Sequence, residues 1–247
     1  MEQKPAQKEI RVFQMVEQKQ ENLDVRSINF EPADGKPMFQ FKPGQFAQLS
    51  RTLEGGAKEV RFYSLASSPY NAKGFTLIYK LKGSFTNFMN AMKKGDKVEV
   101  MGPMGHLAFD EGIHRKVVLF AGGVGIATMI SIVRYIIGRK LNVPIILFYS
   151  SRTLDEIALK NELDGIAKKN RNFKVIYTVT REDPEKLKGW KGIYSRRVDG
   201  QMLRENIAKP DEWSYFVSGR TQMAVDMANA IKVLGVGQDK IKVEGYG

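Results

Sequence analysis

The second half of the chain, from about residue 116 onward, alternates short apolar runs with segments of helical periodicity. The apolar runs are VVLFA, PIILFYS, FKVIYTVT, WSYFVS and IKVEGYG, and the first is followed by the helical pattern IATMISIVRYII. A strand that is covered by helices on both faces has apolar side chains on both faces, so it forms a continuous apolar run in the sequence. This alternation predicts a doubly wound α/β fold with a parallel sheet of five strands.

The first half of the chain has a different pattern. Short extended segments such as KEIRVFQMVEQ, VRFYSLASSP and DKVEVMGP are separated by turns rich in glycine, proline and aspartate. This spacing predicts an antiparallel β-barrel, with a sandwich as the related alternative. One helix, from about Phe85 to Met92, interrupts the strands. We therefore expect two domains, residues 1–112 and residues 113–247, that meet between Glu111 and His114.

The amino-acid composition excludes several kinds of site. The chain has 247 residues and no cysteine, which excludes disulfides, thiolate zinc sites, a catalytic thiol and a cysteine-held iron–sulfur cluster. With 2 histidines, a histidine metal site is not expected either, and we predict no metal. The sequence contains no apolar run of about 18 residues, the length of a membrane span, and its beginning lacks the apolar block of a signal peptide. We expect a cytoplasmic protein without a membrane span.

The charge balance favours an anionic partner. The chain carries 39 lysines and arginines against 27 acidic residues, a formal net charge of +12 at pH 7, and a positive field attracts anions. A phosphorylated cofactor, an acidic protein and a nucleic acid all satisfy this, and scattered lysines are also the ordinary state of a solvated surface. The sequence has no nucleic-acid-binding motif and no arginine-rich arm, so nucleic acid is not the expected partner.

Three glycines lie between the first apolar run of the second half and the helix that follows it. Gly122, Gly123 and Gly125 belong to the sequence AGGVG. In a doubly wound sheet, ligands bind at the carboxyl ends of strands, where the unpaired N–H groups of a helix N-terminus face an anion. Glycines can also serve only a tight turn or close strand–helix packing, and the spacing differs from Gly-x-Gly-x-x-Gly. We predict that the pyrophosphate of a dinucleotide approaches the backbone here.

A second group of residues, in the first half, predicts another ligand with a phosphate and an aromatic ring. Arg61, Tyr63 and Ser64 lie near a strand end in RFYSLASSP. An arginine can pair with a diphosphate, a tyrosine can lie flat on a ring system, and a hydroxyl can hydrogen-bond a ring nitrogen. The lone helix begins with a glycine and two hydroxyl side chains that form a second anion site: Gly83, Ser84 and Thr86. Taken separately, each of these residues also has a purely structural explanation.

In these motifs and in their order, the chain resembles the ferredoxin–NADP reductase superfamily of flavoproteins. The motifs are GQFAQL, RFYSLASSP, GSFT, GDKVEVMGPMG, AGGVGIA, LFYSSRTLDEI, TVTRE, FVSGRTQM and VEGYG. They cover the chain nearly from end to end. The resemblance implies an oxidoreductase that transfers hydride from NADPH or NADH to a bound FAD, with FMN the less expected flavin, and passes electrons to a separate acceptor.

The resemblance also assigns residues to the flavin. Arg61 is expected at the phosphate, Tyr63 against the isoalloxazine ring and Ser64 near its N5. Gly83 and Thr86 are expected at the flavin pyrophosphate. The same cofactor site is expected to include three further residues: Tyr79, Lys80 and Ser84.

A further set of residues is assigned by the resemblance to the nicotinamide dinucleotide. The glycines of the AGGVG turn are expected to take its pyrophosphate. The nicotinamide pocket is expected to be lined by Ser218, Gly219 and Met223. Glu244 and Tyr246 match the acid and the aromatic residue that the family places near the flavin and the nicotinamide. The predicted catalytic residues are Ser64, Ser218 and Glu244.

The choice between the two nicotinamides depends on two residues. Thr180 and Arg181 resemble the Ser-Arg pair that grips the 2′-phosphate in NADP-using members of the family, so NADPH is slightly favoured. A guanidinium can pair with that phosphate through two charge-assisted hydrogen bonds. The alternative is an arginine that folds onto the loop of residues 182–188.

Two positions depart from the family pattern. Thr128 stands where the family often has a proline after the glycine turn, and Ser218 stands where it often has a cysteine near the nicotinamide. A serine keeps a small polar group beside the transfer path, but it is less polarizable than a thiol.

The acceptor of the electrons is left open by the sequence. The net charge of +12 suits an acidic ferredoxin or flavodoxin through electrostatic steering. A free-flavin or quinone reductase, a diaphorase subunit of a larger complex, and a sensory subunit that binds dinucleotide without turnover are alternatives. A different class is a basic barrel module that stacks the bases of a single-stranded nucleic acid on its aromatic residues, but this leaves the glycine turn without an explanation.

Overall fold

An antiparallel sheet of six strands, curved into a barrel, forms the first half of the protein. The computed structural model describes residues 10–70, 72–190 and 192–247. The strands lie in the order β4-β3-β6-β1-β2-β5. Their bounds are β1 (Ile10–Gln20), β2 (Val25–Pro32), β3 (Phe46–Thr52), β4 (Lys58–Ser64), β5 (Phe75–Lys80) and β6 (Lys97–Met104). Every neighbouring pair is antiparallel, as the turn-separated segments of the sequence predict.

The barrel closes where the chain leaves β4 and passes beside β5. The N–H of Ala66 donates to the carbonyl of Thr76 over 2.8 Å, and the N–H of Thr76 donates to Ser67 Oγ over 3.2 Å. Alternate side chains of the strands fill the interior, because successive residues of a strand point to opposite faces. The single helix of this half, α1 (Ser84–Ala91), buries Phe85 and Met89 against that interior. The predicted antiparallel barrel with one helix is confirmed.

The second half is a parallel sheet with helices on both faces. The strands lie in the order β10-β9-β8-β7-β11-β12. Their bounds are β7 (Val117–Gly122), β8 (Ile145–Ser151), β9 (Phe173–Val179), β10 (Ile193–Tyr194), β11 (Ser214–Arg220) and β12 (Ile241–Tyr246). The helices are α2 (Ile126–Gly138), α3 (Lys160–Lys169), α4 (Pro184–Leu187), α5 (Gly200–Asn206) and α6 (Thr221–Val233). The predicted doubly wound fold is confirmed.

The number of parallel strands differs from the predicted five. The sheet has six strands, because the short strand β10 pairs with residues 177 and 178 of β9. A strand of 2 residues leaves no alternating or continuous apolar pattern in the sequence. This strand can be recognised only from its pairing with β9 in the structure.

The order of the parallel strands creates a switch point. The chain passes from β7 outward through β8 and β9, and later returns to pair β11 with the opposite edge of β7. The helices that follow β7 and β11 therefore begin side by side at the carboxyl end of the sheet. Ligands of open α/β sheets bind at such a point.

One apolar cluster joins the barrel to the parallel sheet, while the barrel interior forms a cluster of its own. The cluster on one face of the parallel sheet includes Val25, Ala66 and Phe109 from the first half. Hydrogen bonds cross the same contact: Arg134 on α2 donates to the carbonyl of Ala66 over 2.9 Å. The predicted division at residues 112 and 113 falls between β6 and β7 and stays a prediction. Within the described ranges, no helix combines the length and the apolar character that crossing a bilayer needs.

Candidate active site at the junction of barrel and sheet

The glycine turn connects β7 to α2, as the sequence predicts. Gly123 has a φ of +55°, a left-handed conformation that favours glycine. Gly125 has an ordinary backbone, but a Cβ on it would lie 2.2 Å from the carbonyl oxygen of Ser218. Backbone conformation therefore favours glycine at position 123 and packing requires it at position 125, and their contact with a dinucleotide stays a prediction.

The side chain of Met223 covers the glycines at the ends of β7 and β11. A Cβ on Gly122 would lie 2.6 Å from Met223 Cε, and a Cβ on Gly219 would lie 2.7 Å from the same atom. The absence of both side chains makes room for the Met223 thioether at the switch point. Gly219 and Met223, both predicted for the nicotinamide pocket, thus lie directly beside the glycine turn.

Tyr246, near the end of β12, is fixed on the glycine turn by its hydroxyl. The hydroxyl donates to the carbonyl of Gly122 and accepts the N–H of Gly125, the latter over 2.9 Å. Burial raises the pKa of this hydroxyl to about 12. A diphosphate that takes the Gly125 N–H has to displace Tyr246 from it.

The three predicted catalytic residues converge around Thr128 on α2. The Thr128 hydroxyl lies 2.8 Å from Ser64 Oγ of the barrel and 3.3 Å from Ser218 Oγ of the sheet. Glu244 pairs in register with Ser218 on the next strand. Burial raises the pKa of the Glu244 carboxyl, and the Thr128 hydroxyl has the smaller, opposite effect. The fold therefore brings hydroxyls of both domains to one point.

A cluster of hydrogen-bond donors lies on the barrel beside α1, and Glu59 occupies its centre. The Glu59 carboxylate accepts from Arg51 over 2.6 Å, from Arg61 over 3.1 Å and from the Ser84 hydroxyl over 2.6 Å. The Ser84 hydrogen bond, followed by that of Arg51, lowers the pKa of Glu59. We call these donors the barrel cradle. Two predicted flavin residues, Arg61 and Ser84, are thus brought together around an anion.

The residues just before α1 are held by a side chain of its first turn. The hydroxyl of Thr86 accepts from the N–H of Lys82 over 2.9 Å and from the N–H of Gly83 over 3.0 Å. This is one half of a capping box, because Gly83 at the N-cap has no side chain to accept a helix N–H in return. Contacts of Gly83 and Thr86 with a pyrophosphate stay predictions.

The remaining predicted flavin residues differ in exposure. Tyr63 is half-buried and packs on Phe85, with 6.0 Å between the ring centroids. Tyr79 lies in the barrel core with 2% of its surface exposed, and its hydroxyl accepts from Gln18. Its side chain is therefore part of the barrel core. Lys80 forms an ion pair with Asp24, over 2.5 Å.

Thr180 and Arg181 follow the carboxyl end of β9, and the glycine turn follows the same end of β7. Both are exposed, and the N–H of Arg181 donates to the carbonyl of Arg152 over 2.8 Å. Within residues 10–70, 72–190 and 192–247, the Arg181 guanidinium has no ion pair or hydrogen bond. Glu182, the acid of the adjacent loop, instead accepts the N–H of Leu154 over 2.6 Å. The guanidinium is therefore available to an anion.

Observations at each site fit the cofactors that the resemblance implies. The barrel cradle already holds a carboxylate, so its donors suit the phosphates of a flavin dinucleotide. At the carboxyl end of the parallel sheet, the buried hydroxyls of Ser151 and Thr178 have no hydrogen-bond partner in the part of the chain that the structure describes. Buried hydroxyls are ordinarily satisfied, so a polar ligand at this end of the sheet fits them.

Fold and site together define an oxidoreductase with one domain for a flavin and one for a nicotinamide dinucleotide. Residues 12–109 match the family "Oxidoreductase FAD-binding domain", and residues 119–229 match the family "Oxidoreductase NAD-binding domain". The chain belongs to the ferredoxin reductase-like superfamily of NAD(P)H-dependent flavin oxidoreductases, and its cofactors are FAD and NAD(P)H.

Individual relatives agree with this assignment. NADH-cytochrome b5 reductase 1 of Aspergillus terreus is 30% identical over 202 residues, which are 78% of this chain and 67% of the relative. The flavohemoprotein of Bacillus subtilis is 25% identical over 97% of this chain, but the chain spans 60% of that protein's length. The FAD/NAD binding domain of nitric oxide dioxygenase from Vibrio cholerae has the same fold, with a TM-score of 0.81 at 23% identity, covering 96% of this chain and 98% of that one.

Sequence reasoning missed one donor of the barrel cradle and the carboxylate at its centre. Arg51 and Glu59 are directly paired on β3 and β4, and a strand pairing cannot be read from local sequence. The alternation of Glu59 and Arg61 on one strand is the signal that could have placed them together, since residues two apart share a face. Thr128 was recognised as a departure from the family pattern, but its position between two serines required the tertiary structure.

Proposed function

We propose that this protein transfers reducing equivalents from NAD(P)H to a separate acidic electron-carrier protein, through FAD held at the junction of barrel and sheet. The observation that carries the proposal is the meeting of Ser64 and Ser218 at the Thr128 hydroxyl, over 2.8 and 3.3 Å. Ser64 is the residue predicted at the flavin ring, and Ser218 is the residue predicted at the nicotinamide. Their convergence supports a path in which the two rings face each other.

The residues of the chain bind, orient and shield, and the cofactor carries the redox chemistry. When bound, FAD would supply the redox chemistry, which is acceptance of a hydride from the nicotinamide and release of electrons singly or in pairs. Arg61 and Arg51 would hold the flavin diphosphate in place of Glu59, and Tyr63 would provide a flat, half-buried surface for the flavin ring. Ser64 and Ser218 would orient the two rings, and the backbone beside Met223 would receive the nicotinamide.

The test is a titration of purified protein with flavin followed by mixing with nicotinamide under anaerobic conditions. We expect the protein to bind FAD, to become yellow, and to lose this colour when NADPH or NADH is added. A protein that binds FAD but is not bleached by either nicotinamide contradicts the transfer. A colourless protein that shifts single-stranded oligonucleotides supports the nucleic-acid module instead.

The nicotinamide that we propose is NADPH. The support is the exposed Arg181 guanidinium, which has no partner among the described residues and lies beyond the carboxyl end of β9. A 2′-phosphate would supply the anion that this guanidinium lacks, through charge-assisted hydrogen bonds. Comparison of kcat/KM for the two nicotinamides tests this choice.

The acceptor that we propose is an acidic carrier such as ferredoxin or flavodoxin. The support is the formal net charge of +12, because opposite charges accelerate encounter at low ionic strength. A haem protein is the second candidate, since relatives of the chain are named flavohemoprotein and NADH-cytochrome b5 reductase. A panel of these carriers, with the rate measured at rising salt concentration, separates them. Reduction that is insensitive to salt contradicts electrostatic steering.

A further inference from the structure

Thr128 connects the two domains through a hydroxyl that a proline at its position would lack. Its side chain is fully buried, and its hydroxyl is within hydrogen-bond distance of Ser64 on the barrel and of Ser218 on the sheet. We propose that Thr128 is a positioning residue that holds these two hydroxyls in one hydrogen-bonded chain leading to Glu244. This inference rests on the proposed function, in which the two serines flank the transfer path.

The number of hydroxyl protons limits the directions in which the hydrogen bonds between Ser64, Thr128 and Ser218 can run. A hydroxyl carries one proton and accepts through two lone pairs, so Thr128 can donate to one serine while it accepts from the other. When Ser64 donates into the cleft, Thr128 donates to Ser64 and Ser218 donates to Thr128. When Ser64 accepts a hydrogen bond from the cleft, each of these bonds runs in the opposite direction.

When the hydrogen bonds run from Ser64 towards Ser218, the Ser218 hydroxyl needs an acceptor of its own, and the Glu244 carboxyl group can be that acceptor. Glu244 lies opposite Ser218 on the neighbouring strand, and its Oε2 atom is buried without a hydrogen-bond partner in the described part of the chain. A buried carboxylate oxygen is rarely left in this state. Ser218 therefore stands between Glu244 and Thr128, and Thr128 stands between Ser218 and the serine of the barrel.

Hydrogen bonds that can run in either direction suit the flavin ring, because its hydrogen bonding changes with its oxidation state. Ser64 is predicted near flavin N5, which is an acceptor in the oxidised ring and carries a proton in the reduced ring. With Thr128 behind it, Ser64 can present its proton in the first case and a lone pair in the second. A residue without a hydroxyl at position 128 would leave Ser64 without this support.

Two variants of Thr128 and one matched control test the bridge, by which we mean the hydrogen bonds of Thr128 to Ser64 and Ser218. Thr128→Val keeps the branched shape and removes the hydroxyl, whereas Thr128→Ser keeps the hydroxyl. The control is Ser131→Ala, which removes another buried hydroxyl of α2 that also bonds to the barrel, 2.7 Å from the carbonyl of Ser67. Thr128→Ala repeats the test if the valine variant does not fold.

The first readout separates the rate of flavin reduction from the affinity for NADPH. We expect Thr128→Val to slow flavin reduction in rapid mixing by roughly fivefold to tenfold, the equivalent of one hydrogen bond. The dissociation constant for NADPH should remain within about twofold, since no predicted nucleotide contact changes. Thr128→Ser and Ser131→Ala should remain close to the unmodified protein. An unchanged rate in Thr128→Val, or an equal loss in Ser131→Ala, overturns the inference.

The second readout uses the protein without cofactor. Urea unfolding of Ser64→Ala, Thr128→Val and the double variant forms a double-mutant cycle. We expect the two changes to be non-additive, because each removes the same hydrogen bond. Additivity shows that the two hydroxyls are not coupled and overturns the bridge even if the flavin is reduced normally. A protein that takes up no flavin contradicts the proposed function, while the cycle still tests the bridge.

Discussion

The two predicted diphosphate sites, one on the barrel and one at the parallel sheet, are built in different ways. In the barrel cradle, Arg51, Arg61 and Ser84 donate to a carboxylate of the chain itself, Glu59. At the sheet, the donor is the backbone N–H of Gly125, and the hydroxyl of Tyr246 already occupies it. The first site is made of charged side chains, and the second is made of closely packed backbone.

This difference has consequences for how each site tolerates change. The barrel cradle can exchange one anion for another, since its guanidinium groups can keep their position while the charge between them changes. The glycine turn has no such freedom at Gly125, because interiors are close-packed and the neighbours of this glycine are backbone atoms of Ser218 and Gly219. We therefore expect substitutions at the turn to affect folding, and substitutions in the cradle to affect mainly flavin affinity.

The largest effect is expected at Gly125. Gly125→Ala places a Cβ 2.2 Å from the Ser218 carbonyl oxygen, and we expect a loss of about 3 kcal/mol or more of unfolding free energy from this overpacking. The matched variant is Gly123→Ala, whose Cβ would meet only the Tyr246 hydroxyl at 3.9 Å. Its left-handed φ should cost about 1–2 kcal/mol. Urea unfolding measures both, and equal losses would break the distinction between the two glycines.

Removal of Arg61 should act on the flavin. Arg61→Ala removes charge-assisted hydrogen bonds worth about 1.5–3 kcal/mol, so we expect FAD to bind roughly tenfold to a hundredfold more weakly. Lys58→Ala is the control, because Lys58 lies on the same strand but pairs with Glu99, over 2.7 Å. The measurement is a fluorescence titration of cofactor-free protein with FAD. Retention of full affinity in Arg61→Ala would remove this residue from the phosphate site.

Removal of Arg181 should change the choice of nicotinamide. We expect Arg181→Ala to lower the ratio of kcat/KM for NADPH over NADH by about tenfold, through loss of the phosphate contact. Arg171→Ala is a suitable control, because it is an exposed arginine near the opposite end of β9. An unchanged ratio would return Arg181 to the role of an ordinary surface residue.

Neutralisation of Glu59 should strengthen flavin binding. The carboxylate and a diphosphate compete for the same donors, so we expect Glu59→Gln to bind FAD roughly threefold more tightly, in the range of an exposed ion pair. The same titration measures this effect, and it should weaken as salt is added. Weaker binding in Glu59→Gln would instead show that the carboxylate organises Arg51 and Arg61 for the flavin.

The smallest effect concerns pH, and it has opposite signs in the two regions. Donors lower the pKa of Glu59, so its contribution to stability is present above the ordinary pKa of 4.5 and is lost as the pH falls through the lowered value. Burial raises the pKa of Glu244, so stability present below 4.5 is lost as the pH rises through the raised value.

Unfolding of cofactor-free protein across acidic pH measures this contrast. Relative to the unmodified protein, Glu59→Gln should become more stable as the pH falls, because the amide does not titrate. Glu244→Gln should become relatively more stable as the pH rises. The same sign in both variants would contradict the assignment of opposite environments to the two carboxyl groups.

Local patterns predicted a large part of the fold. Apolar runs with helical segments between them gave the parallel sheet, and the glycine turn lies at the carboxyl end of β7, as expected from its place in the sequence. The strand count was wrong because β10 has only 2 residues and no pattern of its own. The Tyr79 side chain lies in the barrel core, and its assignment to the flavin site stays a prediction.

The sequence by itself determined the two kinds of domain, the place of the glycine turn and the family, because each depends on residues that are close together in the chain. Only the tertiary structure decided that Glu59 lies between Arg51 and Arg61 and that Thr128 joins Ser64 to Ser218. These contacts join separate strands and helices, so register, strand order and domain packing had to be fixed first. Local periodicity carries no information about which side chains meet across such distances.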